Sequence, residues 1–233
     1  MHTEQLVAAR KQMRTLMSLT LYAHPFSSYC QKVLIALWEN DIPFTYRHLE
    51  EPEAAQERVR LWPLGRFPVL VDDGTMVAES SIIIEYLELH CPGPVRLLPE
   101  ERDKALEVRF MDRFFDNYVM TPMQKPVFEA LKADGARKEE AMAEARQALD
   151  TAYAWLEEKL LDRSWAAGND FSMADCAAAP SLFYADWVHP IGPAFPRLRD
   201  YRSRLLKRPS VARAVDEGRP YRAYFPLGAP DRD

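Results

Sequence analysis

Cysteine and glycine are scarce in this chain of 233 residues, which has three cysteines and eight glycines. Cys30, Cys91 and Cys176 lie far apart, and no two of them have the C-x-x-C spacing of a dithiol redox site or a zinc site. An odd number of widely spaced cysteines also argues against a disulfide framework. We therefore expect the protein to work in a reducing compartment.

Long apolar runs and an excess of basic residues are also missing. No stretch approaches the roughly 18 to 20 apolar residues that a membrane-spanning helix needs, and residues 1–16 lack the apolar core of a secretion signal. The net charge of −5 argues against a nucleic-acid partner, because such proteins usually present a basic face. We expect a cytoplasmic protein with no membrane and no nucleic-acid partner.

The composition is that of a chain that folds around a core, with 48% hydrophobic and 28% charged residues. Its length suits two domains of roughly 100 to 150 residues each. The segment CPGPVRLLPEE has three prolines and a glycine and cannot continue a helix, so we place a linker at residues 92–100. We predict one domain over residues 17–91 and another over residues 101–233, preceded by an extension of unknown role at residues 1–16.

The first predicted domain alternates strands and helices. SLTLYA favours a strand and is followed by helical spacing from Tyr29 to Trp38, and PFTYRHL alternates as a strand should. FPVLVDDGTMVAES predicts two strands around the turn Asp73-Gly74, and SSIIIEYLELH predicts a helix. The order β-α-β-α-β-β-α, with the first two strands parallel, is that of the thioredoxin-like fold.

Everything after the linker is predicted to be helical. Long helices are expected at about residues 101–121 and 138–161, and two more are separated at Pro209. Ser172 precedes another helix and has Asp175 three residues on, which is the pattern of a capping box with a structural role. An all-α second domain follows from these patterns.

The loop HPFSSYCQKV between the first strand and helix is the first place where chemistry is expected. A helix amino terminus has unpaired N–H groups and a positive dipole end, and it stabilises an anion such as a thiolate. Lowering a thiol pKa from about 8.5 to about 6.5 corresponds to roughly 2.7 kcal/mol. Ser27 and Ser28 supply hydroxyls and Cys30 lies one turn into the helix, although both serines have an equal claim to be plain helix caps.

Two further segments are candidates for binding. Phe67-Pro68 precedes a strand, where either a cis peptide bond or a trans proline at an edge strand would fit. A cis bond would expose the backbone of Phe67 to an extended peptide. Glu79 and Ser80 begin a helix, where they suit the ammonium and carboxylate of an amino acid or simply cap the helix.

These three segments, in this order, resemble the glutathione transferase superfamily, and specifically its serine-type, bacterial-like members. The resemblance covers about residues 18–220 and includes PLGRFPVL, GNDFSMADCAAAP and FPRLRDYRSRLLKRPSVARAV. Each motif alone is weak, but their joint occurrence at family-like spacing makes the resemblance specific.

The resemblance implies glutathione as co-substrate, with no metal. Ser27, five residues after Tyr22, would hydrogen-bond the glutathione thiolate, and Ser28 is a second candidate because it stands where many relatives have proline. The remaining implied glutathione-binding residues are Arg66 for the glycine carboxylate, Phe67 through its backbone, Pro68 as the cis proline, and Glu79 with Ser80 for the γ-glutamyl end. Cys30 matches the second cysteine of a glutaredoxin motif whose first cysteine is replaced by Ser27, which argues against dithiol chemistry.

The implied activity is glutathione S-transferase, in which the glutathione thiolate attacks a small hydrophobic electrophile or reduces a peroxide, as in detoxification. The acceptor pocket is expected between the first loop and the first long helix, with candidate lining residues Phe26, Phe115, Tyr118 and Met123. A homodimer is also implied. Alternatives on the same scaffold are a glutathione-dependent isomerase, a dehalogenase, a thiol transferase and a non-catalytic binding protein, which the sequence does not separate.

Overall fold

The computed structural model describes residues 19–132 and 138–233, so the predicted extension over residues 1–16 lies outside the described residues. The chain divides into two compact units, the first ending at Arg96 and the second starting at Leu97. In the described ranges, no helix combines the length and the apolar character required to cross a bilayer.

The first unit is a four-stranded mixed sheet with three helices, and it confirms the predicted thioredoxin-like order. Its elements are β1 Leu19–Ala23, α1 Ser28–Glu39, β2 Thr45–His48, α2 Pro52–Leu61, β3 Val69–Asp72, β4 Thr75–Ala78 and α3 Ser80–His90. The strands lie in the order β2-β1-β3-β4. As predicted, β1 and β2 are parallel.

The register of the strands brings several chain segments to one end of the sheet. Tyr22 of β1 pairs with Val69 of antiparallel β3, which in turn pairs with Ala78 of β4. On the other side of β1, Ala23 pairs with His48, the last residue of parallel β2. The chain therefore leaves β1, β2 and β4, and enters β3, at the same end of the sheet.

The turn between β3 and β4 shows why the hairpin was predictable. Asp73 and Gly74 connect the strands with φ values of 44° and 83°. Two-residue hairpin turns need positive φ at both positions, which aspartate tolerates and glycine adopts at no steric cost.

Alternation along the strands builds the core of this unit. Tyr22 and Val69 pack on Ala54 of α2 in a buried apolar cluster. Leu21 and Leu70, whose side chains point to the opposite face, are fully buried. Burial of each such side chain contributes about 1.5 to 3 kcal/mol, so the sheet is anchored on both faces.

The second unit is helical, as predicted. Its elements are α4 Arg102–Phe114, a π-helical segment Phe115–Met120, α5 Thr121–Ala130, α6 Lys138–Lys159, α7 Met173–Val188, α8 Pro196–Leu206, α9 Pro209–Gly218 and a 3₁₀-helical segment Arg219–Tyr224. Helix α7 is buried along almost its whole length and contacts α4, the π-helical segment, α6 and α8.

One boundary prediction was wrong. The first long helix was expected to end at about residue 121. Instead, α4 ends at Phe114, and the helical path continues through the π-helical segment and α5 as far as Ala130. Pro122 lies in the first turn of α5, where a missing N–H is tolerated. The Thr121 hydroxyl donates to the carbonyl of Asp116 at 2.9 Å. Proline therefore marks a change of helix type here instead of a stop.

Candidate functional site

The three segments singled out in the sequence all lie at the same end of the sheet. The β1–α1 loop begins at His24, directly after the end of β1, and Phe67-Pro68 leads directly into Val69. Glu79 follows the partner residue of Val69 in β4. Because neighbouring strands lie about 4.8 Å apart, the three segments fall within roughly 10 Å of one another across the sheet.

Ser27 is the N-cap residue of α1. It has extended φ and ψ values of −86° and 123°, and its hydroxyl oxygen accepts the N–H of Cys30 at 3.4 Å. The first turn of α1 contains no acidic residue. Ser27 is half-buried, whereas Ser28 is buried at 8% exposure. The positive end of the helix dipole is therefore not compensated by a side-chain carboxylate, and Ser27 is the more accessible hydroxyl beside it.

Cys30 is fully buried in α1. Burial raises the pKa of its thiol to about 12, and the hydrogen bond from the His24 backbone, the Ser27 hydroxyl and the positive charge of Arg58 oppose this rise only in part. The thiol is neutral near neutral pH, so it lacks the thiolate that nucleophilic chemistry requires.

The Phe67–Pro68 peptide bond is cis. Pro68 is buried, and the Phe67 ring remains 40% exposed beneath the guanidinium of Arg58, which lies 5.5 Å from the ring centroid. Arg58 also donates to the backbone carbonyls of Gly65 and Arg66. Arg58 therefore fixes the segment that precedes β3, and it brings a positive charge toward the β1–α1 loop.

Glu79 precedes α3 with an unusual backbone conformation. Its φ is 70° and its ψ is 118°, outside the regions that residues with a side chain normally adopt. Such conformations cost about 1 to 3 kcal/mol and concentrate at functional sites. Ser80 is buried at 6% exposure in the first turn of α3, which has no acidic residue.

A buried lysine lies under this second helix end. The ammonium of Lys32, a residue 1% exposed, donates to the Ser81 hydroxyl at 2.9 Å. Its charge adds to the positive dipole end of α3, and both favour an anionic group at Ser80. Sequence reasoning did not give Lys32 or Arg58 a role; the one available signal was a lysine within the apolar run of α1.

The candidate acceptor-pocket residues differ widely in exposure. Phe26 belongs to the first unit and is half-buried in the β1–α1 loop. In the second unit, Phe115 is fully buried and Met123 is 4% exposed, as residues of a packed interior are, whereas Tyr118 is 59% exposed. Of the three in the second unit, Tyr118 alone offers an open aromatic surface.

Across residues 19–132 and 138–233, no group of three or more His, Cys, Asp or Glu side chains is arranged to hold a metal ion.

Comparisons with known proteins agree with this architecture. Residues 21–94 match the family described as glutathione S-transferase, N-terminal domain, and residues 139–204 match the corresponding C-terminal domain. A probable maleylacetoacetate isomerase from Vibrio cholerae is 30% identical over 215 residues, covering 88% of this chain and 99% of that protein. FtsZ-localized protein A from Caulobacter vibrioides is 31% identical over 176 residues, covering 72% of this chain and 77% of that protein.

Solved structures give the same family with a ligand present. A glutathione S-transferase from Methylobacterium radiotolerans, in complex with glutathione sulfonate, has a TM-score of 0.71 and 30% sequence identity. The match covers 85% of this chain and 94% of that one.

Proposed function

The chain belongs to the glutathione S-transferase superfamily, and we propose that it binds glutathione at the shared end of the sheet and activates its thiol. Glutathione supplies the nucleophilic thiolate. Ser27, through its hydroxyl and the helix end it caps, stabilises the negative charge. The acceptor is a small hydrophobic electrophile, and no metal takes part.

The observation that carries this proposal is the uncompensated amino terminus of α1. The Ser27 hydroxyl oxygen accepts one hydrogen bond, from the Cys30 N–H, and because the nearby Cys30 thiol is neutral the hydroxyl proton can be donated to a ligand's anion. A donor aimed at a developing anion is typically worth about 2.7 to 4 kcal/mol. Ser28 is buried, so we assign the catalytic role to Ser27 and leave Ser28 as a packing residue.

The other end of glutathione suits the amino terminus of α3. Its γ-glutamyl group carries a carboxylate and an ammonium. The carboxylate would bind at Ser80, over the buried charge of Lys32, and the ammonium would pair with the exposed carboxylate of Glu79. The backbone of Phe67 would pair with the cysteinyl part, and exposed Arg66 would reach the glycine carboxylate.

The test is glutathione binding by calorimetry, combined with conjugation of an electrophilic chloro-dinitrobenzene. We expect binding by the native protein and by Ser28→Ala, with conjugation reduced at least about 100-fold in Ser27→Ala alone. Equal losses in the two variants would refute the assignment to Ser27. Absence of glutathione binding by the native protein would refute the catalytic function and favour a non-catalytic binding role.

A second candidate function is glutathione-dependent isomerisation. The similarity to the probable maleylacetoacetate isomerase extends over nearly the whole of that protein, and a thiolate is the nucleophile that such chemistry requires. Incubation with glutathione and maleylacetoacetate tests it. Formation of the trans isomer by the native protein but not by Ser27→Ala would establish this activity, and no turnover with active conjugation would exclude it.

We further propose a homodimer. Leu106 and Phe110 lie four residues apart on α4 and are 65% and 45% exposed, so they form one apolar strip that a second copy would cover. Sedimentation velocity of the native protein and of Phe110→Glu tests this. We expect a dimer for the first and a monomer for the second.

A further inference from the structure

His24, the first residue of the β1–α1 loop, forms hydrogen bonds with three residues that follow it. Its backbone carbonyl accepts the N–H of Ser27 at 3.0 Å, and its backbone N–H donates to Cys30 Sγ at 3.4 Å. Its ring nitrogen Nδ1 accepts the N–H of Phe26 at 3.1 Å. The ring contact alone depends on this residue being histidine.

The hydrogen bonds define the protonation state of the ring. A backbone N–H only donates, so Nδ1 must present a lone pair to Phe26 and cannot carry a proton. The ring proton therefore lies on Nε2, which is 3.0 Å from the Glu50 carboxylate oxygen Oε1 and donates to it. His24 is thus the neutral Nε2–H tautomer, held at both nitrogens.

We propose that His24 is a positioning residue, which holds the loop carrying Ser27 in place only while its imidazole is neutral. The inference rests on the proposed function for its effect on catalysis, but the loop mechanism itself does not. A proton on Nδ1 would place two donors opposite each other, the ring Nδ1–H of His24 and the backbone N–H of Phe26. The turn before Ser27 would then lose this hydrogen bond.

Titratable groups of β2, of the segment after it and of α1 face His24. Glu50 follows β2 and accepts from the ring, His48 at the end of β2 has its ring centroid 5.3 Å away, and the Cys30 thiol of α1 is neutral. Burial is the main cause that lowers the pKa of His24, His48 acts in the same direction, and Glu50 opposes both.

Acid should weaken the contribution of His24 to the loop. When the pKa of a histidine is lower in the folded protein than in the unfolded chain, its contribution to stability is fully present above the unfolded-chain pKa of about 6.5. That support is lost as the pH falls through the lowered value. The loop should therefore be intact at neutral pH and should weaken under acid conditions.

The first experiment observes the loop directly by NMR, without any activity. Phenylalanine amides are labelled with ¹⁵N, and the Phe26 signal is identified from its absence in Phe26→Leu. We expect the Phe26 amide to shift with the same midpoint as the His24 ring nitrogens. In His24→Asn we expect no such titration, because the asparagine oxygen accepts an N–H two residues on and does not ionise.

A Phe26 amide that stays still while the His24 ring titrates would overturn the proposal. So would a Phe26 titration that persists in His24→Asn. His90→Asn is the matched control: it removes an exposed histidine at the end of α3 in the same unit, and it should leave the Phe26 titration unchanged. These outcomes decide the loop mechanism even if the protein does not bind glutathione.

The second experiment follows kcat/KM for glutathione conjugation against pH. At pH values below both the thiol and the His24 titrations, log kcat/KM should fall with a slope near 2 in the native protein and near 1 in His24→Asn. The native protein should therefore lose about tenfold more activity per pH unit than the variant. His24→Ala should be slower at every pH, and His24→Asn should restore most of the neutral-pH rate. Equal rates and slopes in all three proteins would refute a positioning role.

Discussion

Ser27 and Ser172 are both N-cap residues of helices, and their surroundings are opposite. Ser27 at α1 is half-buried, its hydroxyl accepts the N–H of Cys30 over a long 3.4 Å, and the following turn has no acidic residue. Ser172 at α7 is 3% exposed and has Asp175 three residues on, in a complete capping box. The same residue type at the same helix position is thus enclosed in one helix and partly open to solvent in the other.

The capping box of α7 is closed on all sides. The Asp175 carboxylate accepts the backbone N–H of Ala166 and that of Ser172 at 2.9 Å each. It also accepts the hydroxyl of Ser172 at 3.1 Å and that of Tyr201 at 2.6 Å. The helix dipole and the buried donors are satisfied internally, so no ligand is required there. At α1 the corresponding charge is missing, which leaves the helix end able to stabilise a ligand's anion.

The largest effect should come from opening the closed box. Asp175→Ala leaves four buried donors without their acceptor, each costing about 1 to 3 kcal/mol, so we expect the free energy of unfolding to fall by at least about 4 kcal/mol. Chemical denaturation measures this. Asp200→Ala, at an exposed position of α8, is the control and should change stability by less than about 0.5 kcal/mol. A loss under about 1 kcal/mol in Asp175→Ala would mean that the box is not structural.

The next largest effect is expected at Ser27, the N-cap of α1, and concerns activity. With Ser27→Ala we expect kcat/KM for conjugation to fall about 100-fold, corresponding to about 2.7 kcal/mol of lost anion stabilisation. The pKa of bound glutathione, followed by thiolate ultraviolet absorbance, should rise toward that of a free thiol. Stability should change by less than about 1 kcal/mol, because the cap bond is long. An unchanged thiol pKa would contradict this role.

Removing the hydroxyl of Ser172 should lower stability and leave activity nearly unchanged. Ser172→Ala retains the Asp175 carboxylate and loses one hydrogen bond to it, so we expect about 1 kcal/mol of destabilisation in denaturant. Conjugation activity at a temperature where the variant is folded should stay within about twofold of the native rate. A selective loss of activity with unchanged stability would show that the two caps are not functionally distinct.

Much of this architecture was predictable from local patterns. Period-2 alternation, helical spacing and the turn Asp73-Gly74 predict the strand and helix order, and the capping box is readable from Ser172 and Asp175 alone. The placement of Ser27, Phe67 and Glu79 at one end of the sheet follows from the topology once that order is correct.

Contacts between distant positions were not predictable. Lys32 meets Ser81 across 49 residues of sequence, and His24 meets Glu50 across 26. No local periodicity encodes such pairs, because they depend on how helices and loops settle on the sheet. The π-helical continuation into α5 was missed for a related reason, since Pro122 has the same local appearance at a helix start as at a stop.

An equally small effect is expected at Cys30, three residues after Ser27 at the same helix end. Burial raises the pKa of this thiol to about 12, so it is protonated under assay conditions and contributes packing instead of a thiolate. We expect Cys30→Ala to lower stability by about 1 kcal/mol and to leave kcat/KM for conjugation within about twofold of the native value. Loss of activity in a folded Cys30→Ala variant, with Ser27→Ala still active, would transfer the catalytic role to the thiol and favour a thiol transferase. Retained activity leaves the hydroxyl of Ser27 as the group that makes the two caps different.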